Sequence, residues 1–216
     1  MATKRFALLL ALVLVGAWAV APVHAQSTPA WRAMNQPAEP YRIVGNLYSV
    51  GASDIAVFLF ATPEGHIVVN SGFPETVPLV EAAVRKLGFR FEDVKVLLTS
   101  HVHIDHAGGH AAFKERTGAR VMVAEGDVPL LEGGGKGDFR FDGEISFPAC
   151  RVDRALKDGD TVSLGGTTLT ARLTPGHTPG CTTWTAEVVD GGKPYRVVIV
   201  GSVSINPGVR LLDTPQ

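Results

Sequence analysis

Cysteine is scarce in this sequence, with Cys150 and Cys181 the only two among 216 residues. No C-x-x-C pair is present, which excludes the usual cysteine-rich structural zinc sites and the dithiol redox motif. Two alternatives stay open for the pair: a disulfide in an oxidising compartment, or two separate buried thiols.

Charge is also limited, because 20 Lys and Arg residues nearly balance 21 Asp and Glu residues, for a net charge of −1. No basic run is available to follow a phosphate backbone, so a nucleic acid partner is not expected. The apolar share of 45% is ordinary for a globular protein. The length suits one domain with a sizeable core.

Long hydrophobic runs are missing except near the start, where two basic residues precede 16 apolar residues at 6–21. That run is shorter than the ~20 residues that span a bilayer. Together with the small residues of "VHA" at 23–25, it predicts a cleaved secretory signal peptide over 1–25. The mature domain over 26–216 is then expected in the periplasm, without a stable membrane anchor.

The remaining chain mixes strand-like and helical patterns, which predicts an α/β fold. Residues 26–40 are rich in proline and polar side chains and are expected to be extended. Glu75–Gly88 carries valines at helical spacing and ends in glycine, as a helix does. Val94–Ser100 is almost entirely apolar, as in a strand covered on both faces. A glycine-rich loop at 133–147 contains phenylalanines placed to stand over a pocket.

Four of the seven histidines fall within the ten residues from His101 to His110. Alternate residues just past a strand point the same way, so His101 and His103 are placed to converge on one ion. Asp105 and His106 lie where the chain turns into the next helix and point toward a second position. Imidazole nitrogens with one carboxylate suit zinc better than magnesium or calcium, with iron and manganese as alternatives.

A more distant histidine, His177, lies in "TPGHTPG", where prolines and glycines on both sides hold a tight loop. Rigid presentation of one imidazole is what a third ligand requires, and three histidines with one free position form an open, catalytic zinc site. Such an ion lowers the pKa of its water to about 7. Of the other histidines, His110 is expected at the rim of the site or behind its ligands, and His66 is expected to be exposed.

At these residues the chain resembles the metallo-β-lactamase superfamily, whose H-x-H-x-D-H signature is present as "HVHIDH". The stretches "TPEGHIVVNSG", "GCTTWT" and "GSVSINPG" are similar to those of class B, subclass 3 metallo-β-lactamases. The resemblance extends from about Tyr41 to Leu212. It implies a four-layer αβ/βα sandwich with two zinc ions at one edge.

The resemblance also implies roles for individual residues. Five metal ligands are divided between two ions: His101, His103 and His177 for the first zinc, Asp105 and His106 for the second. A zinc-bound hydroxide would attack the β-lactam carbonyl, and Asp105 would orient it or relay its proton. Ser202 stands where many superfamily hydrolases have a bridging aspartate. Ser202 and Ser204 would bind the substrate carboxylate; alternatively, they are two small residues at a strand end.

One departure from the family concerns the second zinc, which there has a further histidine downstream of the "SINPG" loop. No histidine follows His177 in this chain. The second zinc is therefore expected to lack a ligand, and the sandwich to lack its last C-terminal elements. A partial reading of a longer protein is the simplest interpretation, and a short one-zinc enzyme is the alternative.

The sequence thus predicts a zinc-dependent hydrolase that opens the β-lactam ring of penicillins, cephalosporins and carbapenems and so confers antibiotic resistance. Its expected partner is the small-molecule substrate, and no oligomeric state is predicted. Two alternatives are kept: another hydrolase of the same fold, such as a lactonase or thioesterase, and a catalytically silent, truncated metal-binding fragment.

Overall fold

A computed structural model describes residues 28–141 and 144–207. Its larger sheet has seven strands, hydrogen-bonded in chain order: β1 (Tyr41–Val44), β2 (Leu47–Ser49), β3 (Phe58–Thr62), β4 (Gly65–Val69), β5 (Val94–Leu98), β6 (Arg120–Ala124) and β7 (Arg154–Leu156). The pairs from β1 to β4 are antiparallel, and those from β4 to β7 are parallel. Parallel neighbours need a crossover connection, and at least one helix follows each of β4, β5 and β6.

The smaller sheet is antiparallel and lies later in the chain. Its four strands are β8 (Thr161–Leu164), β9 (Thr167–Leu173), β10 (Thr182–Asp190) and β11 (Lys193–Ile199), in the order β11-β10-β9-β8. Glycine pairs with positive φ, Gly165-Gly166 and Gly191-Gly192, form the two hairpin turns. A two-residue turn of this kind requires φ above zero at both positions, which glycine adopts without strain.

The described residues contain five α-helices: α1 (Pro29–Met34), which precedes β1, and α2 (Val77–Lys86), α3 (Ile104–Ala107), α4 (His110–Thr117) and α5 (Val128–Glu132), which connect strands of the larger sheet. Short 3-10 turns occur at Pro74–Thr76, Phe91–Asp93 and Glu125–Asp127. The predicted helix over Glu75–Gly88 is confirmed as α2, with its valines buried. Within the described ranges, no helix has the length and apolarity needed to cross a bilayer.

Two hydrophobic cores lie on opposite faces of the larger sheet. Val68 and Leu97 point into the first core, against α2, α4 and α5. Their neighbours Ile67 and Leu98 point into the second core, against the smaller sheet. Successive strand residues alternate between faces, so a strand covered on both sides is apolar throughout. The prediction of a doubly covered strand starting at Val94 is therefore confirmed.

The predicted α/β fold with two sheets is confirmed. A helical layer, the larger sheet and the smaller sheet are stacked in that order. The second core, between the two sheets, contains no helix residue among 28–141 and 144–207. Tyr195 and Val198 on β11 are 40% and 58% exposed.

The expectation of an extended segment over 26–40 is wrong for Pro29–Met34, which form α1. Thr28 caps this helix, because its Oγ1 accepts a hydrogen bond from the Trp31 amide at 3.2 Å. Proline in the first turn also favours a helix start. The signal peptide predicted over 1–25 falls outside the described residues, so it and the periplasmic location remain predictions.

Cys150 and Cys181 are both free and both buried. Of the two alternatives left open by the sequence, the structure contains the pair of separate thiols. Burial raises the pKa of each thiol to about 11, so neither is a thiolate at neutral pH.

Candidate metal centre

The candidate site lies where strands of both sheets end. His101 follows the carboxyl end of β5, and His177 lies in the loop between β9 and β10. Two contacts join the sheets here: Thr182 N donates to Ser100 O at 2.7 Å, and the His101 side-chain Nδ1 lies 3.0 Å from Gly201 O. The fold therefore brings together loops that are far apart in the sequence.

The first ligand group consists of His101, His103 and His177, with one nitrogen of each ring within 4.8 Å of the others. His103 Nδ1 and His177 Nε2 are 3.1 Å apart. Nitrogens bound to one tetrahedral zinc at about 2.0–2.1 Å are separated by roughly 3.3 Å. The observed separation is close to this value, so the rings of His103 and His177 fit a zinc ion with little rearrangement.

The second ligand group consists of His101, Asp105 and His106, again with donor atoms within 4.8 Å of one another. Asp105 and His106 lie in the single turn of α3, and Asp105 Oδ2 is 3.5 Å from His106 Nε2. The sequence assigned only Asp105 and His106 to this position. The structure places His101 between both groups, its ring centroid 3.9 Å from that of His106 and 4.5 Å from that of His177.

The ligand rings are oriented by contacts to their other nitrogens. His101 Nδ1 faces Gly201 O at 3.0 Å, and His106 Nδ1 faces Ser100 Oγ at 3.2 Å. His177 Nδ1 faces Ser204 Oγ at 3.0 Å. A hydrogen bond to Nδ1 fixes the ring and leaves Nε2 for a metal, as is usual for metal-binding histidines.

Burial keeps the four imidazoles of the site neutral. It lowers the pKa of His101, His106 and His177 below the ordinary value of 6.5, and that of His103 to about 3. Repulsion among neighbouring rings adds to the effect for His101 and His103. Neutral imidazoles carry the lone pairs that a cation needs. The donor set is therefore ready for a metal ion at neutral pH.

A cavity of about 550 Å³ opens onto these ligands. Trp31, stacked on Phe73 with ring centroids 5.4 Å apart, lines one wall. Phe141 lines the cavity too, its ring 5.3 Å from that of His103. The other phenylalanine of the glycine-rich loop, Phe139, does not line the cavity and is 47% exposed. Only one of the two rings thus stands over the site.

The glycine-rich loop also brings two charged side chains to the site, and no motif in the sequence marks either of them. Asp138 is buried, and its Oδ2 lies 3.0 Å from His103 Nε2, although the two atoms do not align as a hydrogen bond. Arg140 lines the cavity and donates from a guanidinium nitrogen to Asn206 Oδ1 at 2.9 Å. This contact ties the loop to the segment that contains Ser204.

Comparison with known proteins identifies the family. Residues 50–209 match the metallo-beta-lactamase superfamily. The chain belongs to this superfamily.

Solved structures similar to this superfamily member include class B3 metallo-beta-lactamases. The native FEZ-1 metallo-beta-lactamase from Legionella gormanii is 50% identical, with a TM-score of 0.79, over 83% of this chain and 69% of that one. A class B3 di-zinc metallo-beta-lactamase, LRA-12, from an Alaskan soil metagenome is 38% identical, with a TM-score of 0.76, over 81% of this chain and 65% of that one.

Curated relatives from the same superfamily include other hydrolases. A probable metallo-hydrolase from Burkholderia pseudomallei is 36% identical over 138 residues, which are 62% of this chain and 46% of that protein. A hydroxyacylglutathione hydrolase from Hyphomonas neptunium is 34% identical over 123 residues, 54% of this chain and 40% of that protein. The matched region thus spans less than half the length of these two relatives.

The two serines predicted to bind substrate differ in their surroundings. Ser202 lines the cavity, next to the ligand histidines. Ser204 Oγ contacts His177 Nδ1 at 3.0 Å and Ser202 Oγ at 3.3 Å. Ser202 thus lines the cavity of this metallo-β-lactamase-like site, whereas Ser204 contacts the ring of a candidate ligand, His177.

The two remaining histidines of the described residues are both buried. His66, expected to be exposed, is only 7% exposed and packs against the Phe89 ring, so that expectation is wrong. Its strand β4 lies between two covered strands, which the adjacent turn glycine does not reveal. His110 lies behind the site: its Nδ1 is 2.8 Å from Ser71 Oγ, and Ser71 N donates to His106 O at 2.8 Å.

Acid should destabilise the metal-free protein partly through His110. Burial lowers its pKa from 6.5 to about 3. The unfolded chain takes up this proton near pH 6.5 and the folded chain only near pH 3, so the stabilising contribution is complete above pH 6.5 and declines below it. In His110→Asn, unfolding free energy should depend on pH less steeply by up to about 1.4 kcal/mol per pH unit between pH 4 and 6.

Urea unfolding in the presence of a chelator, repeated across that pH range, measures this slope. Ser71→Ala is the control, because it removes the contact to His110 Nδ1 but leaves the imidazole able to titrate. The control should be less stable with a slope near that of the wild type. A wild-type slope in His110→Asn would contradict the assignment.

Proposed function

We propose that this chain is a zinc-dependent hydrolase that opens the β-lactam ring of penicillins, cephalosporins and carbapenems. The observation that carries the proposal is the meeting of both ligand groups in one cavity. The loop after β11 presents a serine to this cavity, Ser202, at the position where the resemblance places a bridging aspartate in many related hydrolases. The 50% identity to a solved metallo-beta-lactamase supports it. Because this activity would destroy β-lactam antibiotics, it would confer resistance to them.

Two metal positions are part of the proposal. His101, His103 and His177 would hold one zinc ion, and Asp105 and His106, with His101 beside them, would hold a second. A zinc ion bound there supplies Lewis acidity and lowers the pKa of a coordinated water to about 7. The solved di-zinc relative supports the count of two.

Asp105 would transfer the proton during hydrolysis. Opening the ring adds water to the carbonyl carbon and breaks the carbon–nitrogen bond, so one proton must leave the water and one must reach the nitrogen. The Asp105 carboxylate is partly exposed and faces the cavity. It can accept the first proton and return it to the nitrogen, which is general base and then general acid catalysis.

The substrate classes share a carboxylate, and two cavity donors are suited to it. Ser202 offers a hydroxyl and Arg140 a guanidinium, both lining the cavity beside the histidines. Arginine binds carboxylates with high directionality through its paired N–H groups. Trp31, Phe73 and Phe141 supply the apolar walls that would contact the rest of the substrate.

Carbapenem hydrolysis, followed by the loss of β-lactam absorbance, tests the proposal. We expect turnover by the purified protein, its loss on incubation with a chelator, and its recovery when zinc is added back. Ser202→Ala should raise KM and change kcat little, because it removes a binding contact rather than a reacting group. Turnover unaffected by the chelator would contradict the proposal.

Thioester hydrolysis is the second candidate, favoured by the identity to a hydroxyacylglutathione hydrolase. A hydroxyacylglutathione thioester, assayed under the same conditions, separates the two functions. Faster turnover of the thioester than of the carbapenem would replace the β-lactam assignment. Zinc binding without turnover of either substrate would favour the silent fragment.

A further inference from the structure

Asp127 lies between the two loops that carry the ligands of the first group. Its Oδ2 accepts hydrogen bonds from Val102 N at 3.0 Å and from Thr178 Oγ1 at 2.8 Å. Its Oδ1 accepts a hydrogen bond from Gly180 N at 2.7 Å. The side chain is 0% exposed, so one buried carboxylate joins "HVHIDH" to "TPGHTPG".

The contacts of Asp127 are unusual for its position in the chain. It immediately precedes α5, where an aspartate ordinarily accepts a hydrogen bond from an amide of its own helix. Here the carboxylate makes no such bond. All three of its hydrogen bonds go to the ligand loops, so a role confined to starting α5 does not explain it.

The junction around Asp127 leaves little freedom to the backbone. A Cβ added to Gly180 would lie 2.7 Å from Asp127 Cγ, and a Cβ added to Gly126 would lie 2.8 Å from the carbonyl carbon of Pro179. Both distances are shorter than real side chains tolerate. Glycine at these positions lets the two segments touch, and the carboxylate then fixes how they lie.

We propose that Asp127 is a positioning residue that sets the separation of His103 and His177 and thereby the metal affinity of the first ligand group. It touches no ligand ring. It holds Val102, which lies between His101 and His103, and Thr178, which directly follows His177. The inference rests on the proposed binding of zinc by these histidines. Residues behind metal ligands typically contribute 10–100-fold to affinity, so the expected effect is large.

Asp127→Asn tests this inference with almost no change in volume. The amide group presents N–H donors where one carboxylate oxygen accepted, so at least one of the amides of Val102 and Gly180 loses its acceptor. Zinc Kd is measured by competition with a chromogenic chelator. The absorption spectrum of the Co²⁺-loaded protein reports ligand geometry separately from stability.

Asp153→Asn is the matched control. Asp153 also binds a backbone amide, that of Val121 at 2.8 Å, together with Lys114 at 2.6 Å, but it contacts neither ligand loop. We expect zinc Kd to rise by about 10–100-fold in Asp127→Asn, with an altered Co²⁺ spectrum, and to stay at the wild-type value in Asp153→Asn.

Thr178 provides a second, milder pair of variants if Asp127→Asn fails to fold. Thr178→Val removes the hydroxyl that donates to Asp127 and should weaken zinc binding severalfold, whereas Thr178→Ser keeps the hydroxyl and should restore it. Where Asp127→Asn does fold, the double variant Asp127→Asn/Thr178→Val should bind zinc no more weakly than Asp127→Asn alone, because both substitutions act on one contact.

The possible results separate this inference from the proposed function. A wild-type protein that binds no zinc would contradict both the role of Asp127 and the proposed function. A wild-type protein that binds zinc, with an equal Kd in Asp127→Asn, would overturn the role of Asp127 alone. If Asp127→Asn does not fold, equal Kd values in Thr178→Val and Thr178→Ser would overturn it as well.

Discussion

His101→Ala is expected to abolish zinc binding at the first ligand group and, with it, β-lactam hydrolysis. His101 is the one residue that belongs to both groups, and its ring lies between those of His106 and His177. Because its Nδ1 faces Gly201 O, only its Nε2 is free to bind an ion. Loss of residues that merely support a ligand already costs 10–100-fold, so loss of this ligand should lower kcat/KM by more than about a hundredfold. Zinc per chain after dialysis and kcat/KM for a carbapenem are the measurements.

Substitutions of other candidate ligands distinguish zinc binding at the first group from zinc binding at the second. His177→Ala should empty the first group and leave partial binding at the second, and His106→Ala should do the reverse. His66→Gln is the control, because His66 is a buried histidine packed against Phe89 outside the site. It should lose some stability and keep its zinc. Equal zinc content in His101→Ala and in His66→Gln would remove the basis for the site.

Much of the site could be anticipated because its signals are local. The H-x-H-x-D-H run follows an apolar strand, and the ends of strands are where side chains converge in such folds. The helix α2 and the doubly covered strand β5 were visible from the spacing and continuity of their valines and leucines. The structure brings together all five predicted ligands, and their binding of zinc remains a prediction.

The parts that the sequence did not reveal depend on contacts between distant segments. Asp127 is 25 residues from Val102 and 51 from Thr178, and no periodic pattern links them. Arg140 reaches Asn206 across 66 residues. The position of His101 between the two groups is likewise a matter of how the two sheets meet, since its Nδ1 contacts Gly201 after β11. Local chemistry identifies candidate ligands, whereas packing decides which of them share an ion.

Trp184→Ala is expected to cause a large loss of unfolding free energy, because Trp184 lies where the two sheets meet. Trp184 on β10 is 1% exposed within the core between the sheets, and its Nε1 donates to Thr99 O at 2.9 Å. Removing a buried tryptophan typically costs 3–5 kcal/mol of unfolding free energy. Since domains have only about 5–15 kcal/mol in total, the variant should be close to unfolding. Urea denaturation measures the loss.

Two further variants separate packing from hydrogen bonding at this join. Trp184→Phe keeps most of the buried ring but leaves Thr99 O without its donor, so it should cost about 1–3 kcal/mol. Val189→Ala, on the same strand at a 61% exposed position, should change stability by less than about 0.5 kcal/mol. Thr99 lies two residues before His101, so a freed carbonyl at this position should also weaken zinc binding in Trp184→Phe. Wild-type stability in Trp184→Ala would mean that the two sheets are held together elsewhere.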